Sequence, residues 1–590
     1  MKISLYEVIL EYLYKGKIDN MQKAIIRKCA YKIFSKDPEK LYKIIKKYDV
    51  VSFDIFDTLI KRNTETPEDV FKVVALLSDK KFSNFPDSRI RAEQLARREA
   101  ENGEVTLTEI YEKLIEFSAS ERSELMNLEI EVEKKLCCAY FPMQKIYNWC
   151  KKNNKIILLI SDMYLNTSII SEILKKSGYD PSDRLYISCE YKKSKAAGEI
   201  YDEIKKELKG KAWIHIGDSI RGDFLMARKH GISSQLIARD LLSPKYYFNN
   251  PDCSKNGLLF RGYLKSFIQN HERKELNDFE KIGYEILGPL LTGFCVWLNK
   301  QLSGKRYDSV LFLARDAKII LECYKKLFGN SLNNIYFYIS RKAAIATSVD
   351  LLSEYQELHD LLLAKDSANI GDLCNALNIK GNNLNQFLKE SKVDLKLQVN
   401  SDKNFDGEAL LVNAKKYANC DSENQRNLLL AYLKNENVID NFAIVDLGWE
   451  GRTQWVLKKI LPNSIIDGYY IGTITKCENL INSINMNSYL GKMKSTDYYA
   501  RVIMESIALF ESLFLTNEGT TIGYRLDSTT HKTVPIQAQP DQEDENRVKI
   551  EQLQMGAMQF INDIKEDKMF LEYKWDADVI LGLSSFLCKF

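Results

Sequence analysis

The chain has 590 residues, of which 45% are hydrophobic and 28% charged. That is the composition of globular protein, three or four domains of it at roughly 150 residues each, and it excludes a mainly disordered, collagen-like or coiled-coil chain. Lys and Arg number 84 against 81 Asp and Glu, a net charge of only +3, which argues against a general nucleic-acid binder.

Residues 1–48 carry twelve Lys/Arg and five Asp/Glu. Leu5, Val8, Ile9, Tyr12 and Leu13 recur at helical spacing with lysines between them, the pattern of amphipathic helices. Such a segment suits peripheral contact with an anionic membrane surface; a solvated helical face accounts for it equally well. It lacks the apolar run and cleavage site of a signal peptide. At 49 the pattern changes. DVVSFDIFDTL reads as a short buried strand that ends in polar residues. A long helical stretch follows, from about 65 to 150, rich in Glu, Lys, Arg and Leu. Then come strand KIILLIS (155–161), a helix near 166–177, strand LYIS (185–188), a helix from 196 and strand AWIHIGD (212–218). Strands alternating with helices imply an α/β fold with a parallel sheet and right-handed crossovers. Ligands of such sheets sit at the carboxyl ends of the strands. Three of these four strands end in chemically capable residues, Asp54, Ser161 and Asp218.

A second alternation begins near 283. SVLFLA (309–314) is followed by a helix and by NIYFYIS (334–340). About a hundred helical, polar residues intervene before FAIVD (442–446), a helix from about 452 and IIDGYYIGTI (465–474). PIQAQPDQEDENRVK (535–549) reads as a surface loop or linker, and a helix near 548–566 follows. The longest apolar stretch, 286–298, falls short of the roughly 20 residues of a membrane span. The twelve cysteines show no CxxC pair, so they read as reduced thiols of a cytoplasmic protein.

Four short motifs stand in order on the first set of elements: FDIFDTL with Asp54 and Thr58, ILLISD with Ser161, SKAAGEIY with Lys195, and IGDSIRGD with Asp218 and Asp223. A strand-tip carboxylate can attack phosphorus and form an acyl phosphate. Further carboxylates beside it repel one another unless a hard cation such as Mg²⁺ bridges them. Lys195 would neutralise the nucleophile, and Ser161 and Thr58 would donate hydrogen bonds to phosphoryl oxygens. Each acid alone reads as a helix cap or solvated turn; their convergence on strand ends favours chemistry.

The order and chemistry of these motifs resemble the haloacid dehalogenase (HAD) superfamily, over about 49–240. The resemblance implies a Rossmann-like domain with Asp54 as nucleophile. It also implies that Asp218 ligates Mg²⁺ with support from Asp223, and that the Phe56 carbonyl is a further ligand. HAD phosphatases carry a second Asp two residues after the nucleophile; here that position is Phe56, as in dehalogenase-type members. Asp57 and Asp162 are then the candidate proton donors, although a turn role suits Asp57 as well. The insert at about 63–148 sits where the family places a helical cap that closes over substrate. Its Arg89, Arg91, Arg97 and Arg98 read either as an anion-binding cluster or, more commonly, as a solvated helix face; Arg62 is better placed to reach the site.

The motif AIVDLGWEGRTQ (443–454) follows an apolar strand and opens a helix. Gly448 and Gly451 allow a tight loop, and helix-start N–H groups with Arg452 and Thr453 make an anion cradle. Asp446 at the strand end would bind vicinal sugar hydroxyls. The motif resembles the phosphoribosyltransferase loop, with Asp446 as the second acid of the family's pair, Val445 replacing the first, and Trp449 and Glu450 replacing threonines. Ala314, Arg315 and Asp316 lie where that family places a pyrophosphate loop, and Arg341 and Lys342 where its basic residues meet pyrophosphate. A Rossmann-like domain in which GxxG is only a turn is the plainer reading.

Together these resemblances imply a bifunctional enzyme of bacterial surface-polysaccharide biosynthesis. Residues 241–530, with a helical insertion at about 343–440, would transfer 5-phosphoribose from phosphoribosyl pyrophosphate (PRPP) to a glycan acceptor. Residues 49–240 would remove the 5-phosphate to leave ribofuranose. Mg²⁺ would serve both sites, and Asp316, Asp446 and Glu505 are candidate bases for the acceptor hydroxyl. Residues 1–48 would be a basic helical arm suited to a lipid-linked acceptor at the inner membrane face, and 531–590 a linker with a terminal helical segment. The alternative is a HAD phosphatase for a sugar phosphate or nucleotide, whose C-terminal region only binds a glycan or partner.

Overall fold

The computed structural model describes residues 35–566 and 575–589, apart from 37, 65, 79–81, 181–182, 209, 238–254, 272–274, 331–332, 364–367, 399–405, 419–420, 439, 475–482 and 541–544. Most of the predicted basic arm, residues 1–34, therefore lies outside the described residues. The chain divides into two units, Met1–Glu272 and Arg273–Phe590.

The first unit contains strands β1 (Ser35–Lys36), β2 (Val50–Asp54), β3 (Ile60–Arg62), β4 (Cys137–Ala139), β5 (Ile156–Ser161), β6 (Arg184–Ile187), β7 (Trp213–Gly217) and β8 (Ser233–Ile237). Six of them form a sheet in the order β1-β8-β7-β2-β5-β6, with every pairing parallel. Its central strands β2 and β7 are buried along their whole length, as expected where helices cover both faces. The sequence reading found four of the six strands; β1 has only two residues, and β8 (SSQLI) opens on three polar residues that mask its apolar end. The part of the basic arm that is described is edge strand β1 and helix Pro38–Ile45, whose Leu41 and Ile45 are buried in the core of this unit. It is therefore part of the α/β layer.

The predicted helical run 65–150 is five helices: Asp69–Leu77, Phe85–Glu99, Leu107–Glu112, Ala119–Leu136 and Phe141–Lys152. Reciprocal capping boxes, Thr106 with Glu109 and Ser118 with Glu121, open the third and fourth. β4 then pairs antiparallel with β3 and forms a two-stranded neck. Helix Phe141–Lys152 packs on β5 and on helix Pro38–Ile45, so it belongs to the sheet layer, and the cap helices end at Leu136 rather than near 148. Cap residues Val70, Phe85, Ile110 and Leu125 share one core with Val51, Phe53 and Leu159 of the sheet. Helix Lys255–Asn270 packs on the cap helix Asp69–Leu77 and on β3. The units accordingly part at 272/273 and not at the 240/241 boundary read from sequence, because a helix's choice of partner leaves no mark on local composition.

The second unit has a parallel sheet of β9 (Ser309–Leu313), β10 (Asn334–Phe337), β11 (Asn441–Asp446), β12 (Ile465–Tyr470) and β13 (Asn485–Ser488), in the order β10-β9-β11-β12-β13. The strand order reverses between β9 and β11, which opens a crevice at their carboxyl ends. The corresponding reversal in the first unit lies between β2 and β7. The insertion between β10 and β11 is helical as predicted, and its Leu373, Phe387 and Leu410 join the core of Leu311 and Phe337. The stretch 535–549 is not a linker. Pro535–Gln537 belongs to β15 (Thr533–Gln537), which pairs antiparallel with β14 (Thr521–Leu526), and Glu545–Ile564 is one helix packed on Gly288–Leu302. Its charged, proline-rich composition hides elements that form because Phe560, Ile561 and Ile564 find a core. Among the described residues no helix is long and apolar enough to cross a membrane.

Candidate functional site

Asp54 ends β2, Ser161 ends β5, and β7 runs directly into Asp218. Asp223 lies in the helical turn Ile220–Met226 and folds back over the end of β7. This approach needs Gly217, where an added Cβ would sit 2.3 Å from the Asp223 carboxyl. The parallel register thus brings three buried carboxylates together, with oxygens of Asp54, Asp218 and Asp223 within 4.8 Å of one another. Lys195 is ion-paired with Asp54 and lies 2.7 Å from Asp223. Asp162 holds the lysine in place by accepting the backbone N–H groups of Lys195 (2.8 Å) and Ala196 (3.1 Å). Thr58 Oγ1 donates to Asp54 Oδ2 at 3.0 Å. Asp54, Asp162, Lys195, Asp218 and Asp223 line a cavity of about 470 Å³ with Ser161, Phe56, Asp57 and Arg62.

Burial pushes the Asp54 carboxyl up to about 7, with Lys195 opposing and Asp223 adding. Burial acts on Asp223 too, but Lys195 and His215 outweigh it and hold that carboxyl below the usual range. Lys195 is desolvated, yet Asp223, Asp54 and Asp162 keep its ammonium above the ordinary lysine value. One lysine among three carboxylates leaves the cluster negative. Hard oxygen donors at this spacing fit Mg²⁺.

Beneath the cluster lies a network that the sequence reading missed. His215 Nε2 is 3.0 Å from Asp223 Oδ1, and His215 Nδ1 is 2.7 Å from Ser52 Oγ, which also accepts from Trp213 Nε1 at 2.7 Å. Burial holds His215 below its usual range. The available signal was a polar residue inside each of two apolar strands, Ser52 in VVSFD and His215 in WIHIG.

The predicted anion readers of the cap divide. Arg62 lines the cavity with its ring-stacked guanidinium 4.2 Å above Phe56, and Glu133 accepts from its Nε at 2.9 and 3.2 Å. Arg89 is fully buried on Glu129 and Glu93, inside the cap. Arg97 reaches the cavity and pairs with Glu93, whereas Arg91 and Arg98 are exposed. Asp57 adopts φ +62° and its N–H donates to the Ile60 carbonyl at 2.8 Å, a turn role beside the cavity.

In the second unit some of the other predicted residues stand at the carboxyl ends of β9 and β11. Asp316 follows β9 and Asp446 ends β11. Burial raises Asp316 to about 6, with Arg315 opposing and Glu511 adding. Burial, then Asp316 and Glu511, raise Asp446 well above the carboxylate range, against an N–H bond from Leu447. Glu511, on helix Ile507–Ser512, accepts from Trp449 Nε1 at 3.1 Å. It is the acid facing this crevice, whereas the predicted Glu505 is exposed. Gly451, at φ +64°, caps helix Arg452–Ile460, with Thr453 half-buried in its first turn. At Gly448 an added Cβ would lie 2.3 Å from the Gly472 carbonyl oxygen, so the loop fits only with glycine there. Arg452 is buried and paired with Glu450 at 2.6 Å. Arg341 opens helix Arg341–Ala346. Desolvation and the Arg452 cation hold its guanidinium below its usual range, with Glu450 and Glu511 opposing. Lys342 is exposed.

Residues 48–231 match a family described as haloacid dehalogenase-like hydrolase, and the N-terminal region is a hydrolase domain of that type. Two solved structures each align with 32% of this chain. One is a HAD-hydrolase, YfnB, from Bacillus subtilis bound to magnesium, at 17% identity, 87% of that chain and a TM-score of 0.24. The other is a dehalogenase with an intermediate complex, at 16% identity, 83% of that chain and a TM-score of 0.24. No curated protein matches the sequence.

Proposed function

We propose that the chain is a bifunctional enzyme that transfers 5-phosphoribose from PRPP to a glycan acceptor in its second unit and removes the 5-phosphate in its first. The convergence of Asp54, Lys195, Asp218 and Asp223 at one strand-order reversal supports the phosphatase half. In that half Asp54 attacks phosphorus, the ester P–O bond breaks, and the alcohol leaves with a proton. Water then splits the acyl phosphate and regenerates Asp54. Lys195 offsets charge on the nucleophile and the transferring group, and Ser161 orients phosphoryl oxygens. Asp162, engaged by two backbone amides, positions Lys195, which leaves Asp57 as the candidate to supply the proton. Mg²⁺ held by Asp54, Asp218 and Asp223, with the Phe56 carbonyl, would supply charge stabilisation of the phosphoryl group.

The single observation that carries the transferase half is electrostatic. Asp316, Asp446 and Glu511 gather at the β9/β11 reversal with Arg341 near Glu511, so these strand ends offer acids for sugar hydroxyls and a cation for pyrophosphate. The acceptor oxygen would attack C1 of PRPP as pyrophosphate leaves, with its proton passing to the acid cluster. Purified protein given PRPP, Mg²⁺ and a glycan acceptor is expected to release pyrophosphate and then phosphate. Asp446→Ala is expected to abolish the first and spare hydrolysis of ribose 5-phosphate. Release of phosphate alone from the wild type would reduce the reading to the phosphatase.

A further inference from the structure

A second cavity, about 480 Å³, lies in the second unit and belongs to neither cluster described above. Its walls come from the loop after β9 and helix Lys318–Phe328, from residues 512–518, and from one face of helix Glu545–Ile564. It adjoins the crevice at two points along the chain. Arg315 faces the cavity while Asp316, the next residue, belongs to the acid cluster; Ser512 faces the cavity while Glu511, the residue before, belongs to that cluster.

The lining defines the ligand's chemistry. Three cations, Arg315, Lys318 and Arg547, face three acids, Glu322, Glu518 and Glu551. Several already satisfy one another: Lys318 pairs with Glu518 at 2.6 Å, and Tyr336 Oη donates to the same Glu518 at 2.7 Å. A balanced lining of this kind has no excess charge to hold a phosphate or a cation. It does offer alternating donors and acceptors, among them Ser512, Thr516 and Asn517. A neutral polyhydroxylated ligand matches that pattern, because each hydroxyl both donates and accepts.

We infer that this cavity is a carbohydrate-binding subsite. Its role as the acceptor pocket rests on the transferase reading above. That role places acceptor selection on residues 512–518 and the helix Glu545–Ile564, and not on the helical insertion at 343–440.

The test uses the full chain and saturation-transfer NMR with methyl α-D-mannopyranoside, methyl β-D-galactopyranoside and N-acetyl-D-glucosamine as probes. At least one is expected to bind, and Ser512→Trp, which fills the cavity, is expected to abolish that binding. Circular dichroism and thermal melting matched to the wild type report that the second unit of the variant is intact. If Ser512→Trp does not fold, the pair Asn517→Ala and Arg547→Ala is expected to weaken binding about tenfold. Binding of none of the three sugars, sugar binding that survives these substitutions, or displacement of the sugar by inorganic phosphate would overturn the inference. Calorimetry with PRPP separates the two claims. A wild type that binds sugar in this cavity but not PRPP keeps the subsite and loses the transferase, and one that binds PRPP but no sugar does the reverse.

Discussion

Each unit places its acids at the point where its strand order reverses, yet the two clusters are charged differently. In the first, Lys195 sits among Asp54, Asp162 and Asp223 and is desolvated with them. In the second, Asp316, Asp446 and Glu511 act on one another, and Arg315 is the cation set against Asp316. The nearby Arg452 is already paired with Glu450. Both clusters carry an excess of acid, but the first has a desolvated lysine ion-paired with Asp54, whereas the second sets only Arg315 against Asp316. Fold position alone does not set the charge of such a centre; the identity of the counter-charge does.

The sharpest way to break this comparison is a crossed pair of substitutions. Asp54→Asn is expected to lower phosphate release from ribose 5-phosphate by about 10³-fold or more, since the nucleophile itself is lost. Asp446→Ala is expected to leave that rate unchanged and to abolish pyrophosphate release from PRPP. If either substitution silences both activities, the two reversal points are not independent sites. Next in size is metal removal. Chelation is expected to stop phosphate release and added Mg²⁺ to restore it, because three carboxylates sharing one lysine need a further cation.

A smaller effect tests the support beneath the first cluster. His215→Ala leaves the partners of Asp223 and Ser52 unmade, and is expected to weaken Mg²⁺ affinity by about 10–100-fold, measured by calorimetry. An unchanged affinity would reduce His215 to a packing residue.

A stability effect, rather than one on activity, concerns charge strain in the second unit. Asp316 has its folded value raised to about 6 from 3.8. A raised acid stabilises the fold below its unfolded value, and that stability is lost as pH rises through the folded value. The wild type is therefore expected to lose up to about 3 kcal/mol between pH 4 and pH 7 from this group. Asp316→Asn should remove that loss and so gain stability relative to the wild type at pH 8 but not at pH 4, as read by thermal melting. Parallel curves for the two proteins would show that the carboxylates are already compensated.

Much of the first site was legible because its chemistry is local. The motifs around Asp54, Ser161, Lys195 and Asp218 each end a strand or open the next helix, and a parallel sheet carries every such end to one edge. Apolar runs announced β2, β5 and β7 for the same reason. The misplacements share a cause as well. Glu505 and Glu511 are both acids near the end of short helices, and nothing in their neighbourhoods distinguishes them. Only the packing of helix Ile507–Ser512 aims Glu511 at Asp446. Stretch 535–549 looked like a linker because its charges and prolines describe its exposed face, while Phe560 and Ile564 farther along anchor the helix it begins.

The sequence by itself determined that two alternating β/α regions exist, where their strands end, and which carboxylates and arginines stand at those ends. Tertiary structure alone decided which of those charges meet. It put Lys195 between Asp54 and Asp223, hid Arg89 inside the cap, and set Arg315 and Ser512 together in one cavity. The reason is that strand periodicity and turn chemistry act over a few residues, whereas burial and ion pairing join residues a hundred or more apart and are set only when the sheet closes around its core.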